Sequence, residues 1–232
     1  MDSTSSHPRI AIIGTGIDTA VLPQSQSGWR ISTQQEKLIV EPTNQDSVGG
    51  GTEMAQRLSE ILPSAILMGI DIFNGQSKTT STLLLKALEK SIDLNCDAIL
   101  VCVPSFNEEK RQRFAKVCAY AHKKGIPIVS IGVENRISYP SQVASVFGVI
   151  SHMDCKEHMY VYDHQFFDEQ HPNRGLFVLN GWHEERYVGA EMAAIRLLVM
   201  LIELLQTGRP YESLFEAVNI RAFIPFSEFG FV

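Results

Sequence analysis

The chain lacks long hydrophobic runs, runs of basic residues and any Cys-x-x-Cys pair. No apolar stretch is longer than Leu197 to Ile202, far short of the about 20 residues that cross a bilayer as a helix. The opening MDSTSSHP is polar, with no cationic start leading into an apolar core, so no targeting peptide or membrane partner is expected and the location expected is cytoplasmic. Acidic residues outnumber basic ones 26 to 20, for a net charge of −6. Without a basic run to neutralise phosphates, nucleic acid is not an expected partner. There are four cysteines, Cys96, Cys102, Cys118 and Cys155, and those in apolar segments read as reduced, buried and inert thiols. No internal repeat or low-complexity segment is present.

What remains is a chain of 232 residues, 44% hydrophobic, long enough to bury one sizeable core. A single domain over residues 1–232 is expected, with 1–8 disordered and 223–232 an aromatic tail. Arg9 to Ile13 reads as a first strand, uniformly apolar as a strand covered on both faces should be. Residues 20–35 read as a loop and Lys37 to Val40 as a short strand. A helix follows within Val48 to Leu62, with Thr52 as N-cap and Pro63 as its stop. Ala65 to Phe73 is a strand, Asn74-Gly75 a turn and Thr80 to Leu94 a helix. Asp97 to Val103 is another strand, and Asn107 to Lys124 a helix closed by Gly125. Ile126 to Val133, Val146 to Ser151 and Leu176 to Leu179 complete the strands. Tyr187 to Leu205, apolar nearly all round, belongs in the interior, and Tyr211 to Val218 is a short helical segment. This alternation predicts a three-layer α/β/α fold with a mostly parallel, doubly wound sheet. Its functional rim lies in the loops after residues 13, 73, 103 and 133.

Residue patterns that could carry chemistry are few. The turn in RIAIIGTGIDT suggests a dinucleotide fingerprint, but Thr19 stands where the third glycine belongs and no amphipathic helix follows. No cofactor is expected. His152, Cys155, His158 and His164 cluster, and His183-Glu184-Glu185 lie together, yet neither group has HExxH or paired-ligand spacing, so no metal is expected. Ser77-Lys78 is not a dyad if extended, because adjacent strand residues face opposite ways. Glu53 reads as decoration of a helix N-terminus.

The order of these pieces resembles the subtilase, or subtilisin-like serine protease, family. Ile13-Gly14-Thr15-Gly16-Ile17-Asp18 is similar to its aspartate motif IDTGID, and Gly50-Gly51-Thr52-Glu53-Met54-Ala55 to its histidine motif HGTHVAG. LPSAILMGIDI, NGQS and the helix leading into DAILVCVPS resemble APKAKLLPVRV, DGSG and the helix leading into ADVINLSLG. GIPIVSIGVENRISYP and VFGVISH resemble GVVVVAAAGNEG, YP and VIAVGA. Asn180 to Leu197 most resembles the nucleophile motif GTSMASPHVAGAAAL. The resemblance runs from Arg9 to about Leu205 and implies a truncated subtilisin-like fold.

It also implies that the chemistry is gone. The triad needs a carboxylate, a histidine and a serine. By the resemblance these positions hold Gly14, Gly50 and either Trp182 or His183, while the oxyanion asparagine falls on Glu134 or on Asn135 beside it. A carboxylate there would repel the oxyanion, and in subtilisin loss of the nucleophile or base alone costs about 10⁶ in turnover. What could survive is the pairing of an extended peptide with exposed backbone. The resemblance places it at Gly75, Gln76, Ser77 and Lys78 and at Val103, Pro104 and Ser105, although Pro104 lacks a donor. The expected function is a non-catalytic pseudoprotease that binds a peptide or precursor peptide. It would present that peptide to other biosynthetic proteins, as in maturation of a ribosomally made peptide natural product. A scaffold or regulatory subunit acting through a homo- or hetero-oligomer interface is the alternative, with Phe223, Phe226, Phe229 and Phe231 as a candidate surface.

Overall fold

The computed structural model describes residues 7–134, 136–152, 160–163, 176–179, 182–183, 186–187 and 189–220. Strand β1, Arg9–Gly14, lies at the middle of a sheet whose further strands are β2 (Gln26–Gln34), β3 (Lys37–Thr43), β4 (Ile66–Asp71), β5 (Ala98–Val101), β6 (Ile128–Ile131), β7 (Phe147–Ser151), β8 (Tyr160–Asp163) and β9 (Leu176–Leu179). Among the described residues the order is β3-β2-β4-β1-β5-β6-β7-β9-β8. All pairings are parallel except β2 with β3 and β8 with β9 at the two edges. A separate two-stranded ribbon joins β10 (Trp182–His183) to β11 (Arg186–Tyr187).

Because successive strand residues face opposite sides, the apolar run of β1 feeds two cores. Ile10 and Ile12 enter one cluster, with Ala98 and Leu100 of β5; Ala11 and Ile13 enter the other, with Ile99 and Val101. The first cluster is covered by α1 (Gly50–Ile61), α4 (Ala190–Gln206) and α5 (Leu214–Ile220); the second by α2 (Ser81–Asp93) and α3 (Arg111–Lys123). This is the three-layer α/β/α arrangement expected. Helix α4 is buried at Met192, Ala193, Ile195, Leu198, Leu201 and Ile202 alike, as its all-round apolar sequence requires. Phe215 of α5 packs on Phe147 and Phe177, ring centres 6.2 and 5.7 Å away, tying that helix to β7 and β9. Gly125 (φ 73°) ends α3 as expected: its N–H donates to the His122 carbonyl and the Ile126 N–H to that of Ala121, the paired bonds of a glycine-terminated helix.

Two local expectations are corrected. Residues 26–34 are a strand, not part of a loop. Their sequence, QSGWRISTQ, is polar because β2 pairs antiparallel with an exposed edge strand through a turn at Gln35-Glu36, both with positive φ. Helix α1 begins at Gly50, ahead of Thr52, which is therefore not its N-cap. The capping acceptor comes from upstream: Asp46 Oδ1 accepts from the N–H groups of Val48 and Gly49, and Oδ2 from that of Thr52.

Candidate functional site

The carboxyl ends of β1, β4, β5 and β6 and the amino ends of α1, α2 and α4 share one rim, as a parallel sheet with crossover helices requires. Gly14 ends β1, in register with Asp71 of β4, and Cys102 follows β5 with its N–H donating to the Ile13 carbonyl. Among the described residues, a Cβ built on Gly14 would meet only Cys102 Cβ, at 3.7 Å, and one on Gly50 only Thr15 Oγ1, at 3.7 Å. Both are ordinary contacts, so neither position needs glycine for space.

The turn after Gly14 is locked to α1 by hydroxyls and backbone. Thr15 Oγ1 accepts from the Gly51 N–H at 2.8 Å, and Thr52 Oγ1 accepts from the Asp18 N–H at 3.0 Å while donating to Asp46 Oδ2 at 2.8 Å. Burial alone would raise the Asp46 pKa, but donors from Gly49, Thr52 and Thr15 outweigh it and hold the carboxyl below its ordinary value. Asp18 Oδ1 accepts from the Ala20 N–H at 2.9 Å and so serves the turn. Glu53, exposed in the first turn of α1, pairs with Arg57. Nearby, the buried Asp71 holds Arg30 Nε at 2.9 Å and accepts from the N–H groups of Phe73 and Asn74.

The buried helix begins later than expected. Trp182 and His183 lie on β10, in register with Tyr187 and Arg186 and upstream of the buried helix, which opens only at Ala190 after Gly189 (φ 91°). Glu191 is in its first turn. Gly189-Ala190-Glu191-Met192-Ala193 then reads against Gly-Thr-Ser-Met-Ala with Glu191 opposite the serine. The shared Gly-x-x-Met-Ala spacing was the signal for this residue. It was hidden by the apolar Tyr187 and Val188, which extend the helical pattern too far upstream. Burial pushes the Cys102 thiol up to about 12, and the Glu191 carboxylate adds to the rise. Gly14 thus lies beside Cys102, whose thiol feels the charge of Glu191 at the head of α4. Burial likewise raises Cys96, to about 11, and Cys118.

The two expected binding segments are placed differently. Gly75, Gln76, Ser77 and Lys78 form an exposed turn, where the Gln76 N–H is taken by the Phe73 carbonyl. A cavity of about 290 Å³ instead lies between Thr79–Ser81 and Val103–Asn107, with Leu84 in its wall. Val103, Pro104 and Ser105 line it, and Ser81 and Ser105 hydroxyls meet at 2.8 Å. Ser105 cannot offer its backbone to a peptide, since its N–H and carbonyl are both paired with Tyr139 at 2.8 Å. Glu134 is exposed on a turn closed by the bridge between Val133 and Arg136, and Asn135 lies outside the described residues. So do Cys155, His158, His164, Glu184, Glu185 and the tail phenylalanines. Among the described residues, no three His, Cys, Asp or Glu are grouped to hold a metal ion, and no helix is long and apolar enough to cross a membrane. A larger cavity, about 460 Å³, is lined by Pro8, Cys96, Asp97, Lys124, Ile202 and Leu205 at the amino ends of β1 and β5, away from this rim.

No protein-family model matches the chain, and no curated protein does. Solved structures do. A lanthipeptide protease is 13% identical with a TM-score of 0.62, covering 93% of this chain and 80% of its own. The S41 psychrophilic protease is 12% identical with a TM-score of 0.63, covering 95% and 86%. A cold-adapted subtilisin-like serine proteinase is 13% identical with a TM-score of 0.64, covering 95% and 84%. The fold is therefore subtilisin-like, and at this identity the likeness carries the fold alone.

Proposed function

We propose that this chain is a non-catalytic protein of subtilisin-like fold that binds an extended peptide at the cleft rim and presents it to partner enzymes. The reading is supported by the motif resemblance, which sets Gly14, Gly50 and Glu191 against the acid, base and nucleophile, and by the open space at both glycines. A carboxylate cannot replace a hydroxyl nucleophile that needs an adjacent base, and glycine supplies neither acid nor base. Binding makes fewer demands, because main-chain pairing with an extended segment needs no particular side chain. Val103 and the cavity beside it remain for this, with Ser105 and Pro104 contributing little. Among the similar folds is a lanthipeptide protease, which supports a precursor peptide of a ribosomally made natural product as the ligand and other biosynthetic proteins as partners.

Calorimetry with precursor peptides encoded beside the gene tests the reading. One saturable site and no cleavage are expected, and no labelling by a serine-reactive phosphonate. Absence of binding to every such peptide, or turnover by purified protein, would overturn it.

A second reading is a scaffold that works through an oligomer interface. It is favoured by the engagement of the Ser105 backbone with Tyr139, which shortens the strand a peptide could pair with. Light scattering after size exclusion tests it: a stable oligomer with no peptide binding would select this reading over the first.

A further inference from the structure

Against one wall of the smaller cavity a cation is stacked on an aromatic ring. Arg136 lies with its guanidinium carbon 3.5 Å from the centroid of the Phe106 ring. That ring also lines the 290 Å³ cavity. Phe106 is 41% exposed and Ile137, next to Arg136 in sequence, is 45% exposed, so apolar surface is open to solvent on both sides of the stack. Such exposed apolar surface beside a cavity marks a contact site. Stacking on the ring fixes the plane of the guanidinium while its N–H edges stay available for a planar partner. Among the described residues no carboxylate lies within ion-pair distance of Arg136. Glu108, beside Phe106 in sequence, accepts from the Tyr139 hydroxyl at 2.6 Å and lies 3.8 Å from Arg111.

We propose that Arg136 is a specificity residue that selects an aspartate or glutamate side chain in the bound peptide, a step that rests on the peptide-binding reading above. The occupant follows from charge and shape. A guanidinium fork on an aromatic platform, with no carboxylate partner among the described residues, fits a carboxylate in two-point contact. The protein as a whole is acidic, with net charge −6, so attraction to an acidic peptide cannot come from the surface at large. A local cation at the cavity can supply it, and Arg136 is placed to do so. Because Phe106 is both cavity wall and platform, the acid belongs about two residues, or ~7 Å of extended chain, from the side chain that enters the cavity.

The test uses full-length protein and two libraries of random octapeptides with blocked ends. One carries a single fixed Asp or Glu, the other Asn or Gln at the same position. An acid preference of about tenfold is expected at low salt, weakened at high salt. Arg136→Gln should abolish it, and Arg136→Lys should restore only part, because the fork is lost. Arg136 is exposed, and an unchanged melting temperature of both variants will show that the fold is intact. Equal binding of the two libraries, or a preference that survives Arg136→Gln, would overturn this assignment and leave peptide binding standing. If neither library binds, the peptide-binding reading itself fails and this assignment with it.

Discussion

Four glycines stand on the same rim, and they divide into two pairs. A Cβ on Gly51 would lie 2.0 Å from the Gly16 carbonyl oxygen, and one on Gly16, whose φ is 96°, would lie 2.6 Å from the Gln45 carbonyl oxygen. Gly14 and Gly50 would each meet one atom at a comfortable 3.7 Å. Gly16 and Gly51 are therefore demanded by the frame, where the β1 turn and the amino end of α1 touch backbone to backbone. Gly14 and Gly50, which resemble the acid and base positions of a protease, are not demanded by any of the described residues around them. The frame of the cleft is held tightly while the positions that would carry chemistry are sterically open.

The sharpest break of this contrast is Gly51→Ala. Its methyl group cannot be accommodated without moving the β1 turn, and a cost of about 3 kcal/mol is expected, read as a lower denaturation midpoint with an unchanged slope. A loss below about 1 kcal/mol would mean the turn is soft, and the contrast would fail. Asp46→Ala comes next, at about 1–2 kcal/mol, since it strips the acceptor from three backbone donors at the head of α1. The same carboxylate sets a pH dependence. Its folded pKa lies below the ordinary value, so its contribution is full above the unfolded pKa of about 4 and is lost as pH falls through the lowered folded pKa. Asp46→Asn should keep part of the cap and flatten the stability profile in that acid range.

Gly14→Ala and Gly50→Ala sit at the other end of the scale. With room for the methyl and no left-handed φ to strain, each should change stability by less than about 1 kcal/mol, toward greater stability through the unfolded chain. Gly50 at the start of α1 gains helix propensity as well. A large loss at either position would show that the glycine is structural, and the reading of the cleft as chemically emptied would lose its main support.

How much of this was legible in the sequence depended on which force dominates locally. Uniformly apolar runs such as Ile10 to Ile13 and Ala98 to Val101 declare a sheet buried on both faces, and Gly125 declares the end of α3. Strand β2 did not declare itself, because an edge hairpin exposed to water carries no apolar pattern. The head of α1 was misplaced because Asp46 caps it from four residues upstream through a side chain, while Thr52, the nearer hydroxyl, is spent on the Asp18 turn and on Asp46 itself. The head of α4 was misplaced by apolar residues outside the helix, which begins at Ala190 rather than Tyr187. The stacking of Arg136 on Phe106 joins residues 30 positions apart and left no local trace.

The smallest effect tests whether Glu191 occupies the cleft at all. Cys102 has two reasons for its high pKa of about 12, burial first and the Glu191 carboxylate second. Removing the charge with Glu191→Gln should lower the thiol pKa only slightly, because burial remains, and the thiol should still titrate well above its ordinary 9.0. Cys118, whose rise comes from burial alone, serves as the internal control, and Cys96 feels Arg9 and Asp97 instead. Alkylation at high pH, resolved by peptide mass spectrometry, should therefore speed up at Cys102 and at no other thiol of this set. Equal acceleration at Cys118 would point to general loosening, and no change at Cys102 would place Glu191 away from Gly14. In either case the serine position of the motif would not be the one filled by a carboxylate.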